Sequence, residues 1–203
     1  MSSKVENMER RNYSFPVQVT GDDEKRTVEG YALLFDTPSD GLSFVEVIER
    51  GALEGVIEKS NIFALLNHDS SRGILARSKN GQGTLYLEVD SVGLKYRFEA
   101  PRTALGDELL EYLRRGEVSE SSFAFTVEAE TWEMQKDDTW KRTIHKFAKL
   151  YDVSPVYDAA YSATSVNLRG KEQAEAQIAE VAKAQRAKEV EEYISKINKS
   201  INI

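Results

Sequence analysis

The chain has 203 residues, 40% of them hydrophobic and 30% charged, and a formal net charge of −7. This length fits one domain with a substantial core and an appendage better than two full domains. The acidic balance gives no reason to expect binding to nucleic-acid phosphates. No stretch approaches the roughly 20 apolar residues of a membrane span, and the start, MSSKVENMERR, has no apolar signal-peptide core. We therefore expect a cytoplasmic protein without membrane or nucleic-acid partners.

The chain contains no cysteine and only two histidines, His68 and His145. Disulfides, thiol nucleophiles and cysteine-ligated metals are therefore excluded. Any chemistry that depends on histidine must use one or both of these side chains.

Apolar residues that recur at every second position predict β-strands along most of the chain before residue 170. The first such set is Tyr13, Phe15, Val17 and Val19. The continuous apolar runs YALLF and IFALLNH are typical of strands buried on both faces. The segment LYLEVDSVGLKYRFEA predicts a hairpin that turns at Asp90 to Gly93, because Asp and Gly tolerate turn conformations.

A helix is predicted in TALGDELLEYLRRG, where Thr103 can cap the start and Gly116 can end the last turn. Several short strands with one or two helices between them predict an α+β fold. We expect a mainly antiparallel, closed or nearly closed β-barrel with a few flanking helices over residues 1–170.

The composition changes after Gly170 to a segment without Gly or Pro that is rich in Ala, Glu, Lys and Gln. These are strong helix formers, so residues 171–203 are predicted to be a helical tail. An apolar stripe runs along it at Ala187, Val190, Ile194, Ile197 and Ile201. Two interpretations stay open: a tail that binds a partner, and a terminal helix that packs back on the domain.

His68 and Ser122 are the candidate chemical pair. His68 follows the predicted buried strand IFALLN and precedes the loop-like DSSRG, where an imidazole can be both held and reachable. In SSFAFTV, Phe123 and Phe125 share one face, and Ser122 lies on the other above small residues, where a substrate can approach. A hydroxyl is a poor nucleophile unless a base accepts its proton, and His68 is the economical base.

A third side chain is expected to orient the imidazole, and TIHKFAKLYDVSPVYD offers His145, Asp152 and Asp158. His145 and Asp152 are seven positions apart, so in an unbroken strand they point to opposite faces and at most one can face the site. Parity alone leaves the choice open.

Taken together, these segments resemble the prohead (capsid maturation) serine proteases of tailed phages, which share a fold with the herpesvirus assemblins. The resemblance runs in order through VEGYALLFDTPS, FVEVIERGAL, LLNHD, GILARSKNGQGTLYLEVDSVGLKYRFEAP, GDELLEYLRRGEVSESSFAF and LYDVSPVYDAAYSATSV, over most of residues 13 to 169. No single segment is decisive, but their order and spacing together are specific.

The resemblance implies that His68 of NHD is the general base, that Ser122 before FAF is the nucleophile, and that Asp152 of YDVS is the third member. Assemblins use a second histidine instead, which keeps His145 as the alternative. Family members commonly have a small and then an apolar residue ahead of the serine, whereas this chain has Glu120 and Ser121. An oxyanion hole is required, and backbone amides or an arginine such as Arg77 are candidate donors.

The implied function is a viral endopeptidase that cleaves the scaffolding segment of the major capsid protein, and itself, inside the procapsid in the host cytoplasm. Its acyl-transfer mechanism implies no metal and no organic cofactor. The alternatives are a non-catalytic scaffold or capsid-assembly protein on the same fold, which the helical tail favours, and an unrelated β-barrel binding module. The distance from His68 Nε2 to Ser122 Oγ discriminates between enzyme and non-enzyme, because proton transfer requires hydrogen-bond reach.

Overall fold

A computed structural model describes residues 8–13, 17–20, 26–39 and 42–157. The chain divides into two compact units, residues 1–164 and 165–203, and all the described residues belong to the first. The predicted helical tail, residues 171–203, and the candidate Asp158 lie outside the described residues, so the domain boundary at residue 170 stays a prediction. In the described ranges, no helix is long and apolar enough to span a membrane.

The described residues form β-strands, one α-helix and two single 3₁₀ turns. The strands are β1 (Glu9–Tyr13), β2 (Gln18–Thr20), β3 (Thr27–Leu34), β4 (Val45–Ile48), β5 (Asn61–Ala64), β6 (Ala76–Lys79), β7 (Gln82–Gly83), β8 (Tyr86–Val89), β9 (Gly93–Glu99), β10 (Glu120–Met134) and β11 (Trp140–Val156). The helix, α1, is Ala104–Arg115, and the 3₁₀ turns are Ile57–Lys59 and Ser70–Arg72.

The strands form two sheets. The larger sheet has the order β1-β10-β11-β5-β6-β7, and β4 also pairs with β11. The smaller sheet has the order β2-β3-β9-β8 and is antiparallel. The long strand β11 pairs antiparallel with β10 along one side and parallel with β4 and then β5 along the other. The larger sheet is therefore mixed.

The expected closed or nearly closed, mainly antiparallel β-barrel with a few flanking helices was wrong, because the described strands do not close into a barrel. A closed barrel gives every strand two neighbours, whereas β1 and β7 end one sheet and β2 and β8 end the other among the described residues. The described part is mostly β, with mixed pairing and a single α-helix. The expected first strand was wrong too, because β1 ends at Tyr13 and β2 begins at Gln18 in the other sheet. Pro16 lies between them in the sequence and has no N–H for a continuous ladder.

The local predictions for the helix and the hairpin are confirmed. The Thr103 side chain accepts a hydrogen bond from the Gly106 N–H, and Gly116 adopts the left-handed conformation after the last turn of α1. Strands β8 and β9 pair antiparallel around the turn that begins at Asp90, whose Oδ1 accepts hydrogen bonds from the Val92 and Gly93 N–H groups.

One hydrophobic core contains side chains from both sheets and from α1. An aromatic group lies at its centre: the ring centroids of Phe123 and Phe125 are 4.9 Å apart, and Phe147 packs edge-on at 4.9 Å from Phe125. Two of these rings come from alternate positions of β10, so the core fixes which face of this strand is turned inward.

Candidate active site

Strand β10 places two adjacent serines on opposite faces. Ser121 shares the core face with Phe123, and its hydroxyl lies 2.9 Å from the hydroxyl of the buried Tyr96. Ser122 lies on the other face, opposite Asn12 of β1 and Ser154 of β11. The parity expected from the sequence therefore separates the two hydroxyls.

His68 reaches this second face from the end of β5. Ile62 and Ala64 of β5 are fully buried, which anchors the strand beside β11. Asn67 and His68 then both have positive φ angles, 54° and 59°, and the Asn67 N–H donates to the Pro155 carbonyl at 2.9 Å. Non-glycine residues seldom adopt this left-handed conformation, and such residues concentrate at functional sites.

The structure brings three of the predicted side chains together. His68 Nε2 lies 2.6 Å from Ser122 Oγ, and His68 Nδ1 lies 2.6 Å from Asp152 Oδ1. The His68 and Asp152 side chains are only 6% and 8% exposed. An imidazole held between a hydroxyl and a carboxylate at these distances can accept the hydroxyl proton at Nε2 while the carboxylate stabilises the resulting positive charge.

His145, the alternative third member, lies elsewhere. Its Nδ1 is 2.9 Å from Glu49 Oε2 and its Nε2 is 2.9 Å from Thr131 Oγ1. Both ring nitrogens therefore have partners outside the group of Ser122, His68 and Asp152.

Ser122 is fully buried, contrary to the expected open face. Strand β1 pairs alongside β10, and the Arg11 carbonyl accepts a 3.0 Å hydrogen bond from Ser122 Oγ. When His68 Nδ1–H donates its hydrogen bond to Asp152, the neutral imidazole has its acceptor at Nε2. The single hydrogen of the Ser122 hydroxyl can then be donated either to His68 Nε2 or to the Arg11 carbonyl. Because the hydroxyl is buried, a substrate could reach it only after a local rearrangement.

Ser154 completes the site and was missed from the sequence. Its hydroxyl donates to Asp152 Oδ1 at 2.7 Å, and the side chain is fully buried. Ser154 follows Asp152 by two positions in a strand, a spacing that places both on one face. That spacing was the available signal.

A buried charge cluster, also missed, ties β1, β4, β10 and β11 together on the core side. The fully buried Glu46 accepts from Arg11 Nε at 2.6 Å and from Arg142 Nη1 at 2.8 Å. Arg142 also donates to Glu9 Oε1 at 2.8 Å and to Glu130 Oε2 at 2.7 Å. Burial opposes ionisation of Glu9, but the hydrogen bonds and charges of Arg142 and Arg11 outweigh it and lower the pKa of Glu9.

Two further observations concern groups that the sequence left open. Arg77, a candidate oxyanion donor, donates from Nε to Asn61 Oδ1 at 2.7 Å, and its guanidinium lies 5.4 Å from the Phe63 ring centroid. Within the described ranges, no group of three or more histidine, aspartate or glutamate side chains is arranged to hold a metal ion.

Comparison with known proteins identifies the family. The model of the caudovirus prohead serine protease family matches residues 13–183. Among solved structures, that of the bacteriophage T4 capsid assembly protease, gp21, matches with a TM-score of 0.48 and 11% sequence identity, covering 74% of this chain and 97% of that chain. No curated protein matches this sequence. The family match spans most of the chain, and the chain therefore belongs to the caudovirus prohead serine proteases.

Proposed function

We propose that this protein is the endopeptidase of a phage prohead and that Ser122, His68 and Asp152 are its catalytic residues. The observation that carries the proposal is the continuous contact from Ser122 Oγ through the His68 imidazole to Asp152 Oδ1, at 2.6 Å for each step. Ser121 and His145 have no part in it, because their polar atoms bond to Tyr96 and to Glu49 and Thr131.

The reaction proceeds by acyl transfer. Ser122 Oγ attacks the scissile carbonyl carbon while its proton passes to His68 Nε2, and Asp152 stabilises the imidazolium through Nδ1–H. His68 then protonates the leaving amine, the peptide C–N bond breaks, and the N-terminal part of the substrate stays on Ser122 as an ester. A water molecule then attacks this ester while giving a proton to His68. The ester C–O bond breaks, the N-terminal part of the substrate leaves as a carboxylic acid, and His68 returns the proton to Ser122 Oγ.

The proposed substrate is the scaffolding segment of the major capsid protein, cut inside the procapsid in the host cytoplasm. Membership of the prohead serine protease family supports this substrate, because a protease of the prohead meets the capsid protein inside the immature shell. Removal of the scaffold would free the shell to mature.

Coexpression with the cognate major capsid protein tests the proposal. We expect the wild-type protein to remove the scaffolding segment and Ser122→Ala to leave it intact. The two proteins are expected to have the same circular-dichroism spectrum, which shows that the substitution preserves the fold. Loss of the scaffold with Ser122→Ala would refute the assignment. If cleavage fails with Ser121→Ala instead, Ser121 is the nucleophile.

We also propose that the enzyme trims its own tail after the boundary near residue 170. After this boundary the sequence is polar and contains no Gly or Pro. This change in composition supports an accessible junction that a second copy of the enzyme can cleave. Intact mass measurement is expected to give a shortened active protein and a full-length Ser122→Ala variant. An active protein that keeps its full mass in assembled proheads would refute self-trimming.

A further inference from the structure

Glu120 begins β10 two positions before Ser122, so the two side chains point from the same face of the strand. Their Cα atoms are about 6.6 Å apart, at roughly 3.3 Å per strand residue. The Glu120 carboxylate therefore stands beside the hydroxyl proposed as the nucleophile, on the face that carries His68 and Asp152.

The Glu120 carboxylate has a polar atom without a partner. Oε2 is buried and accepts no hydrogen bond. Glu46 is the contrast within the same sheet: it is more deeply buried, but both of its oxygens accept hydrogen bonds from arginines. A buried carboxylate oxygen without a donor costs free energy, and such groups in folded proteins require an explanation.

Among the residues that the structure describes, no structural counterion accounts for Glu120. Arg10 of β1 is the cation on this face that also has a buried unbonded atom, its Nε. It lies opposite Ala124, four positions and about 13 Å along the strand from Glu120. In the part of the chain that the structure describes, the two form no ion pair.

We infer that Glu120 is a specificity-determining residue that accepts a lysine or arginine side chain of the peptide substrate near the bond that Ser122 attacks. This inference rests on the proposed function. An extended peptide that passes Ser122 advances by about 3.3 Å per residue, so a side chain one or two positions from the scissile bond comes level with Glu120. Its ammonium or guanidinium group supplies the missing donor as a charge-assisted hydrogen bond.

Peptide selection by the full-length Ser122→Ala protein tests the inference without turnover. The probe is a decapeptide library in which each position in turn is fixed as lysine, norleucine or glutamate, and retained peptides are quantified by mass spectrometry. We expect lysine to be retained about tenfold over norleucine at one position, the ratio typical of one charge-assisted hydrogen bond. Glu120→Gln in the same background removes this preference, and Glu120→Lys shifts it to glutamate. Glu133→Gln is the matched control, because it removes the same charge from the far end of β10.

Thermal stability gives a second readout. If Glu120 lacks a donor until substrate binds, Glu120→Gln leaves the melting temperature unchanged or raises it, whereas Glu46→Gln lowers it. The absence of a lysine preference, or one that survives Glu120→Gln, overturns the inference, as does a melting temperature that Glu120→Gln lowers as far as Glu46→Gln does. Hydrolysis by the wild-type protein without a lysine preference overturns this inference alone, whereas the absence of hydrolysis by the wild-type protein refutes the proposed function and this inference with it.

Discussion

Ser154 Oγ donates a 2.7 Å hydrogen bond to Oδ1 of Asp152, the same oxygen that lies 2.6 Å from His68 Nδ1. One carboxylate oxygen is thus held from two sides, by a neighbour in its own strand and by the imidazole from the end of β5. This bond restricts the carboxylate to the orientation that contacts His68.

Ser154→Ala is expected to lower kcat by about tenfold with little change in KM, since one hydrogen bond to a charged carboxylate contributes about 1.5 kcal/mol. Steady-state cleavage of a capsid-derived peptide measures both constants. Ser60→Ala is the control, because Ser60 is a buried serine whose hydroxyl bonds to the backbone of Leu150 outside the site. An equal loss of kcat in Ser60→Ala would show that the effect is one of general stability.

Asp152→Asn is expected to reduce kcat by about 10³ to 10⁴, because an amide neither fixes the required His68 tautomer nor stabilises its charge. His145→Gln is expected to change kcat by less than about twofold, as its partners are Glu49 and Thr131. The two variants are compared on the same peptide. If only His145→Gln causes a large loss of kcat, His145 and not Asp152 is the third catalytic residue.

Ser121→Ala is expected to destabilise the fold by about 1–3 kcal/mol and to retain activity, because it leaves the buried Tyr96 hydroxyl without its partner. Gly30→Ala acts on the same contact, since an added Cβ would lie 3.0 Å from Tyr96 Oη and 3.2 Å from Ser121 Oγ. Urea unfolding measures the loss for both variants. Loss of activity in a folded Ser121→Ala protein would contradict the assignment of a structural role to Ser121 and a catalytic role to Ser122.

Acid is expected to destabilise the protein through Glu9. Its pKa is lowered in the folded state, so its contribution to stability is complete above its unfolded value of about 4.5 and is lost as the pH falls through the folded pKa. The free energy of unfolding, measured by denaturant titration at several pH values below 7, checks this. Glu9→Gln is expected to be less stable at neutral pH and to lose less stability below pH 4.5. Parallel curves for the two proteins would exclude Glu9 as a source of the acid sensitivity.

The sequence predicted the parts of the site that depend on local geometry. The alternation around Ser122 follows from two phenylalanines that must be buried, and this alternation alone separates Ser122 from Ser121. Alternation in the sequence could not decide between His145 and Asp152, because the register between β10 and β11 shifts several times between these two residues. Each bulge resets which face a side chain occupies.

The sequence predicted less of the architecture, since alternation identifies the two faces of a strand but not the strands on either side of it. Arg142 and Glu46 each resemble a solvent-exposed charge in an alternating segment. They become a buried pair only because β4 lies parallel to β11 with these two residues in register. The same parallel pairing, absent from the expected antiparallel barrel, makes the larger sheet mixed.

The proposed nucleophile can be tested directly with a fluorophosphonate probe, which forms a covalent bond only with an activated serine. Peptide mapping after labelling is expected to give one adduct, on Ser122, that is lost in both Ser122→Ala and His68→Ala. An adduct on Ser121, or a protein that hydrolyses peptides while Ser122 stays unlabelled, would contradict the catalytic assignment.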